Sequence, residues 1–350
     1  MINRRNVIKQ LGLGTIACLF SGFDTLRTGS SNLSLSERNA RNFSGRFTGS
    51  SFVSVIKGND LRDNTYAALK NIEDEIMASL EGKKRILVKP NFVSTSVPLC
   101  ATHVDAVRGI LDFLKPRWKG PLIVGESTAS RAGTMDGFKN YGYLPLEKEY
   151  GIQLTDLNEQ SYVYRYVLGP DNTPHPIRII STFMEDDLYI ISAAKMKTHD
   201  RALVTLSLKN VLLGAPYNDY KHNDKRYMHI TKVRSKNTIL HYNMFSLARE
   251  IYPDLGVIDA FESMEGNGPV GGTPVDTRLA LASLDPLALD TFATKLMGFD
   301  PAEILYLSSM NMAGMGQGDL NKIKTIGSDM QNVQFHFKPN SSMIEPYGLG

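Results

Sequence analysis

The chain has 350 residues, and its 39 basic side chains so nearly balance its 36 acidic ones that the formal net charge is only +3. A sequence pI of about 8.6 lies below the mark of a basic nucleic-acid-binding domain, so no nucleic-acid partner is expected. The cysteines are Cys18 and Cys100 alone, which excludes an iron–sulfur cluster held by four thiolates of one chain and argues against an internal disulfide.

Asn3-Arg4-Arg5-Asn6-Val7-Ile8-Lys9 precedes a mildly apolar stretch from Leu11 to Phe20. Paired arginines ahead of such a stretch resemble a twin-arginine export signal. The stretch is short of the roughly 20 apolar residues that a membrane span needs. Residues 1–23 are therefore expected to direct export, and residues 24–50, rich in Ser, Asn, Gly and Arg, to form a flexible tether. Thr15-Ile16-Ala17-Cys18 is a degenerate lipoprotein box, which makes Cys18 a candidate membrane tether through acylation. The expected location is outside the cytoplasm, periplasmic or membrane-tethered.

Residues 51–340 alternate strand-like and helix-like segments, without an internal repeat. Apolar runs predict strands over 85–88, 121–124, 153–157, 188–192, 255–258 and 279–282. Helices are predicted from Thr102 to Leu114, over 138–150, over 203–213 ending at Gly214, and over 245–251. A last helix has an Asp285 cap, Pro286 at its first position and Gly298 past its end. This alternation indicates an α/β fold: a mostly parallel sheet flanked by helices.

Polar residues collect where these strands end. The strand over 85–88 runs into Lys89-Pro90-Asn91, the strand over 121–124 into Gly125-Glu126, and the strand over 255–258 into Asp259 and then Glu262. The strand over 188–192 leads to Lys195-Met196-Lys197-Thr198-His199. Cations this close repel one another unless something negative lies between them, which points to an anion-binding site. Open parallel sheets bind ligands outside the carboxyl ends of their strands, so these groups would meet in one crevice. The basic run from Lys221 to Lys236 reads equally well as a solvated face.

His199 stands among cations that favour its neutral form, which can act as a general base. His229 and His241 read as structural hydrogen-bond partners. Gly266-Asn267-Gly268-Pro269-Val270-Gly271-Gly272 is either a mobile turn or a loop whose N–H groups cradle an anion. No H-E-x-x-H or C-x-x-C is present, so no metal site is assigned.

Lys89-Pro90-Asn91, Lys195 to His199, Thr205 to Gly214, Gly266 to Pro269 and Ala282 to Asp290 together resemble the DUF362 family. The resemblance spans residues 86–299 and implies an α/β domain more than a reaction. Many relatives carry a ferredoxin-like cluster-binding segment after this domain, and this chain has no cysteine there.

The resulting expectation is an exported enzyme acting on a small anionic substrate. His199, Glu126 and Glu262 would move protons, while Lys89, Asn91, Lys195, Lys197, Thr198, Lys209, Asn210, Gly266 and Gly268 would bind the ligand. The alternative is a non-catalytic protein that binds an anionic ligand or a metal complex. The cofactor is left unassigned.

Overall fold

The alternating pattern builds one large mixed sheet and a separate hairpin. The computed structural model describes residues 49–219, 221–229, 238–330 and 333–349. The expected export segment, Cys18 and residues 24–48 of the expected tether lie outside these residues. The strands are β1 (Ser51–Lys57), β2 (Arg85–Lys89), β3 (Leu122–Glu126), β4 (Gln153–Asp156), β5 (Tyr162–Leu168), β6 (Pro174–Ile180), β7 (Leu188–His199), β8 (Leu203–Thr205), β9 (Leu255–Asn267), β10 (Gly271–Ser283) and β11 (Ile323–Gly327).

The sheet order is β11-β1-β10-β9-β7-β2-β3-β4, with β8 paired to the end of β7; β5 and β6 form the hairpin. From β9 through β7, β2 and β3 to β4 every pairing is parallel. β10 joins β9 and β1 antiparallel, and β11 runs parallel to β1. The chain thus adopts the expected α/β fold with a mostly parallel sheet.

Successive side chains of a strand face opposite ways, so a sheet buried on both faces reads as a continuous apolar run. Ile86, Val88, Tyr189, Ile191 and Val257 enter one apolar cluster together with Leu69 and Ile110 from the helices Leu61–Lys70 and Val104–Leu114. Leu87, Ile190 and Ile258 enter the other, with Leu208 and Leu289 from the helices Ser207–Leu212 and Pro286–Leu296. Among the described residues no helix is long and apolar enough to cross a membrane.

Several predicted elements differ in extent. The strand predicted over 188–192 runs on to His199, because β9 pairs with it through Lys195 and β8 pairs with Lys197, Thr198 and His199. The helix predicted over 203–213 divides into β8 and Ser207–Leu212, and that over 138–150 into Thr134–Asn140 and Pro145–Tyr150 around Gly142, whose φ is +75°. The helix predicted over 245–251 is Thr238–Ala248. Thr102 does not cap the helix after it. Its hydroxyl donates to Ala193 O at 2.7 Å, and His103 takes the cap, its Nδ1 accepting from Asp105 N–H.

Asp285 does cap its own helix, accepting from Leu287 N and Ala288 N. One turn further along that helix, buried Asp290 accepts from Ser207 N at 2.8 Å and Leu208 N at 2.9 Å. Leu206 supplies no side-chain cap to the helix Ser207–Leu212, so Asp290 satisfies its first N–H groups from a distance in sequence. Asp290→Asn presents an amide that accepts on one side only. The variant is expected to unfold with about 1–3 kcal/mol less free energy in urea titrations, the cost of a buried donor left unpaired.

Candidate anion-binding site

A cavity of ≈ 320 Å³ opens where β2, β3 and β7 end and the helix Ser207–Leu212 begins its turn. Lys89, the last residue of β2, is buried at its floor. Its Nζ donates to both oxygens of Glu126, at 3.0 and 2.9 Å, to Pro90 O at 3.1 Å and to Asn210 Oδ1 at 3.0 Å. Glu126, the last residue of β3, also accepts from Phe92 N and Ser127 N. Asn210 returns donors to Lys89 O and Ser192 Oγ, which fixes its amide orientation, and Asn91 Nδ2 donates to its oxygen. Burial pulls the Lys89 ammonium down from its ordinary value, and Glu126 opposes the shift.

Gly214 makes this network fit. A Cβ at this position would lie 2.2 Å from Lys89 Cε and 2.7 Å from Asn210 O. No side chain can enter there without displacing the lysine stem.

The rest of the lining is cationic. Lys197 donates from β7 to Cys100 O at 2.5 Å and to Pro269 O at 3.4 Å, and burial lowers it to about 8. Lys225 donates to Ser127 Oγ and to the carbonyls of Gly214 and Pro216, and burial lowers it to about 7. Lys209 is equally buried and falls to about 7, through burial and then the charge of Lys197. Its Nζ has no hydrogen-bond acceptor among the described residues, although Asp200 draws it upward electrostatically. Exposed Arg226 completes the basic lining.

Two histidines share the wall, their rings stacked with centroids 5.9 Å apart. Burial and then Lys209 push His199 well below the ordinary imidazole value, against the pull of Asp200, whose Oδ1 lies 3.0 Å from Nδ1. His229 falls to about 4 for the same two reasons; its Nδ1 must donate to Lys225 O at 2.7 Å. Both rings are therefore neutral at ordinary pH. Three oxygens of lining residues, Asn91 Oδ1, Thr205 Oγ1 and Asn223 Oδ1, are buried without a hydrogen-bond partner among the described residues. Among those residues no group of three or more His, Cys, Asp or Glu side chains is placed to hold a metal ion.

Residues 86–295 match the family described as "Domain of unknown function (DUF362)". The chain belongs to the DUF362 family. It is 28% identical over 234 residues to the thylakoid-associated protein sll1697 of Synechocystis sp., covering 66% of this chain and 68% of that protein. A solved structure from Thermotoga maritima is 17% identical with a TM-score of 0.38, over 60% of this chain and 52% of that one. The chain thus spans about half the length of that solved protein.

Within this DUF362 domain the cavity gathers Lys89, Asn91, Glu126, Lys197, His199, Lys209 and Asn210 from the residues singled out in the sequence. The others lie elsewhere. Lys195 pairs with Asp259 at 3.0 Å inside the sheet, and Thr198 donates its hydroxyl to Gly266 O at 2.9 Å. Glu262 is exposed on β9 opposite Asp276, with no route into the cavity lining. The glycine-rich segment is the turn between β9 and β10; its Pro269 lines the cavity, but the N–H groups of Gly266 and Gly268 are engaged within the protein. Gly266 N already donates to Lys338 O and Gly268 N to Gly266 O. Gly268 is small for a packing reason: a Cβ there would meet Thr198 O at 2.0 Å.

Ser127, Asn223, Lys225, Arg226 and His229 line the cavity without having been singled out as site residues. The signal for three of them was the basic run after Lys221, which reads equally as a solvated face.

The depressed lysines set a pH dependence. An ordinary lysine titrates at 10.5 and buried Lys209 at about 7, so between these values the unfolded chain binds more protons than the folded one. Stability contributed by this group therefore rises with pH across that window and is flat below it. Lys209→Met removes this share of the slope. In urea midpoints measured from pH 6 upward, the variant should gain most on the parent at the acidic end and lose that advantage towards the alkaline end.

Proposed function

We propose that the cavity binds a small anionic molecule whose phosphate or carboxylate group supplies the negative charge its lining lacks. The observation that carries this reading is the imbalance of charge: among the described residues Lys89, Lys197, Lys209, Lys225 and Arg226 face Glu126 as the one carboxylate of the lining, and Glu126 is already bound by Lys89. Asn91 Oδ1, Asn223 Oδ1 and the Thr205 hydroxyl would hold the polar remainder of the molecule.

An enzymatic version of this reading has its own support. His199 is neutral on the cavity wall, and its Nδ1 accepts from Arg201 N–H at 3.0 Å, which leaves the ring proton on Nε2, an arrangement suited to giving a proton to a bound substrate. Glu126, locked by Lys89 and two backbone N–H groups, is a holding group in this scheme rather than a proton carrier.

Lys197→Met keeps most of the stem and deletes the charge. It should weaken binding of inorganic phosphate or citrate by about 1.5–3 kcal/mol in titration calorimetry, the size of one charge-assisted hydrogen bond. Arg226→Ala, at an exposed position, should weaken it without touching the fold. His199→Gln should leave binding intact and abolish turnover of any substrate found. A parent protein that binds none of a panel of phosphates and carboxylates would reject the reading.

We also propose that residues 1–23 direct export by the twin-arginine route, with Cys18 as a membrane tether. The arginine pair ahead of an apolar stretch supports this, as does the thylakoid association in the name of the Synechocystis relative. Replacing Arg4 and Arg5 by Lys should retain the protein in the cytoplasm on cell fractionation, because that route reads the arginine pair rather than charge. Cys18→Ala should release the exported protein from membranes; unchanged partitioning would remove acylation from the account.

A further inference from the structure

Lys209 differs from its neighbours in the cavity. Lys89, Lys197 and Lys225 each donate to named carboxylate, amide, hydroxyl or carbonyl oxygens. Lys209 is buried, lines the same cavity and has no acceptor among the described residues. Its backbone is held firmly: every residue of the helix Ser207–Leu212 is buried, Asp290 binds the helix N-terminus, and the adjacent Asn210 is tied to Lys89 and Ser192. Its amine is open to the cavity rather than engaged by a described neighbour, on a stem that is otherwise buried. It is well placed for covalent chemistry.

We propose that Lys209 is an imine-forming lysine whose amine condenses with the carbonyl carbon of a small oxo acid, the carboxylate of which is held by the surrounding cations. This rests on the anion-binding reading above and names the substrate class for it. Neutral amine is the reacting form, and burial together with the like charge of Lys197 keeps a substantial share of Lys209 uncharged near neutral pH. The amine lone pair attacks the carbonyl carbon, a C–N bond forms, and the carbonyl oxygen takes up a proton to give a carbinolamine. His199, whose Nδ1 is engaged by Arg201 N–H, carries its ring proton on Nε2; it gives that proton to the departing hydroxyl and takes back the one lost from nitrogen. Amine and carbonyl become imine and water, with no change of oxidation state. Lys197 and Arg226 are the cations available to the substrate carboxylate.

The test is reductive trapping on the full chain. Pyruvate or 2-oxoglutarate is added with sodium borohydride, and the product is read by intact mass and peptide mapping. A single adduct per chain on Lys209 is expected, suppressed by inorganic phosphate and absent from Lys209→Met and Lys209→Arg. Should either variant misfold, the mapped position and the phosphate competition in the parent chain still decide. No adduct, or adducts spread over exposed lysines such as Lys84 and unaffected by phosphate, would overturn the proposal. If the oxo acids and phosphate raise the melting temperature yet no adduct forms, the imine falls and the anion site stands. If they neither bind nor react, both fall.

Discussion

Lys89 and Glu126 meet at the carboxyl ends of adjacent parallel strands, out of reach of water, and the geometry of the site depends on that contact. Taking two charges out of water costs several kcal/mol for each unless they are paired and their remaining hydrogen-bonding capacity is filled. Here it is filled completely by near neighbours: Pro90 O and Asn210 Oδ1 for the ammonium, Phe92 N and Ser127 N for the carboxylate. The pair therefore joins β2, β3, the loop after each and the helix Ser207–Leu212 into one rigid corner. It also engages Glu126, the only carboxylate of the lining among the described residues, so the cavity beyond it is cationic there.

The Lys197 and Lys225 ammonium groups are held by dipoles rather than by an ion pair. Cys100 O and Pro269 O turn towards Lys197, and Gly214 O and Pro216 O towards Lys225. Carbonyl oxygens moderate the cost of burying a cation but do not cancel it, which is why these lysines stay depressed while the walls remain ordered. A negatively charged ligand, as proposed above, would relieve this repulsion and would thereby draw protons onto the lysines.

The alternation of strands and helices was legible because the buried runs, such as Ile86-Leu87-Val88 and Ile190-Ile191, are apolar on both faces of a covered sheet. Lys195 to His199 reads as following a strand because the apolar run Leu188-Tyr189-Ile190-Ile191 ends ahead of it. The strand continues because its ladder is completed by β8, a partner invisible to local periodicity. Within it, Lys195 is spent on Asp259, while Lys197 and His199 reach the cavity. Gly266 and Gly268 suggested an anion cradle by composition, yet the same composition serves a hairpin turn that presses against Thr198. Glu262 sits where β9 carries extra residues relative to β7, a register shift that no one-dimensional pattern announces. Lys225 and His229 were ambiguous for the converse reason: whether a basic run is buried is decided by what packs over it.

Gly214 has a consequence for how this sequence can change. The absence of a side chain there is filled by the stem of Lys89, from a strand 125 positions earlier. Neither residue can be replaced independently. A larger residue at 214 evicts the lysine and strands Glu126 as an uncompensated buried anion, while a shorter residue at 89 opens a void against a glycine that cannot fill it. The two positions form a single unit of substitution, and a chain that has lost one must abandon the other and the carboxylate with it.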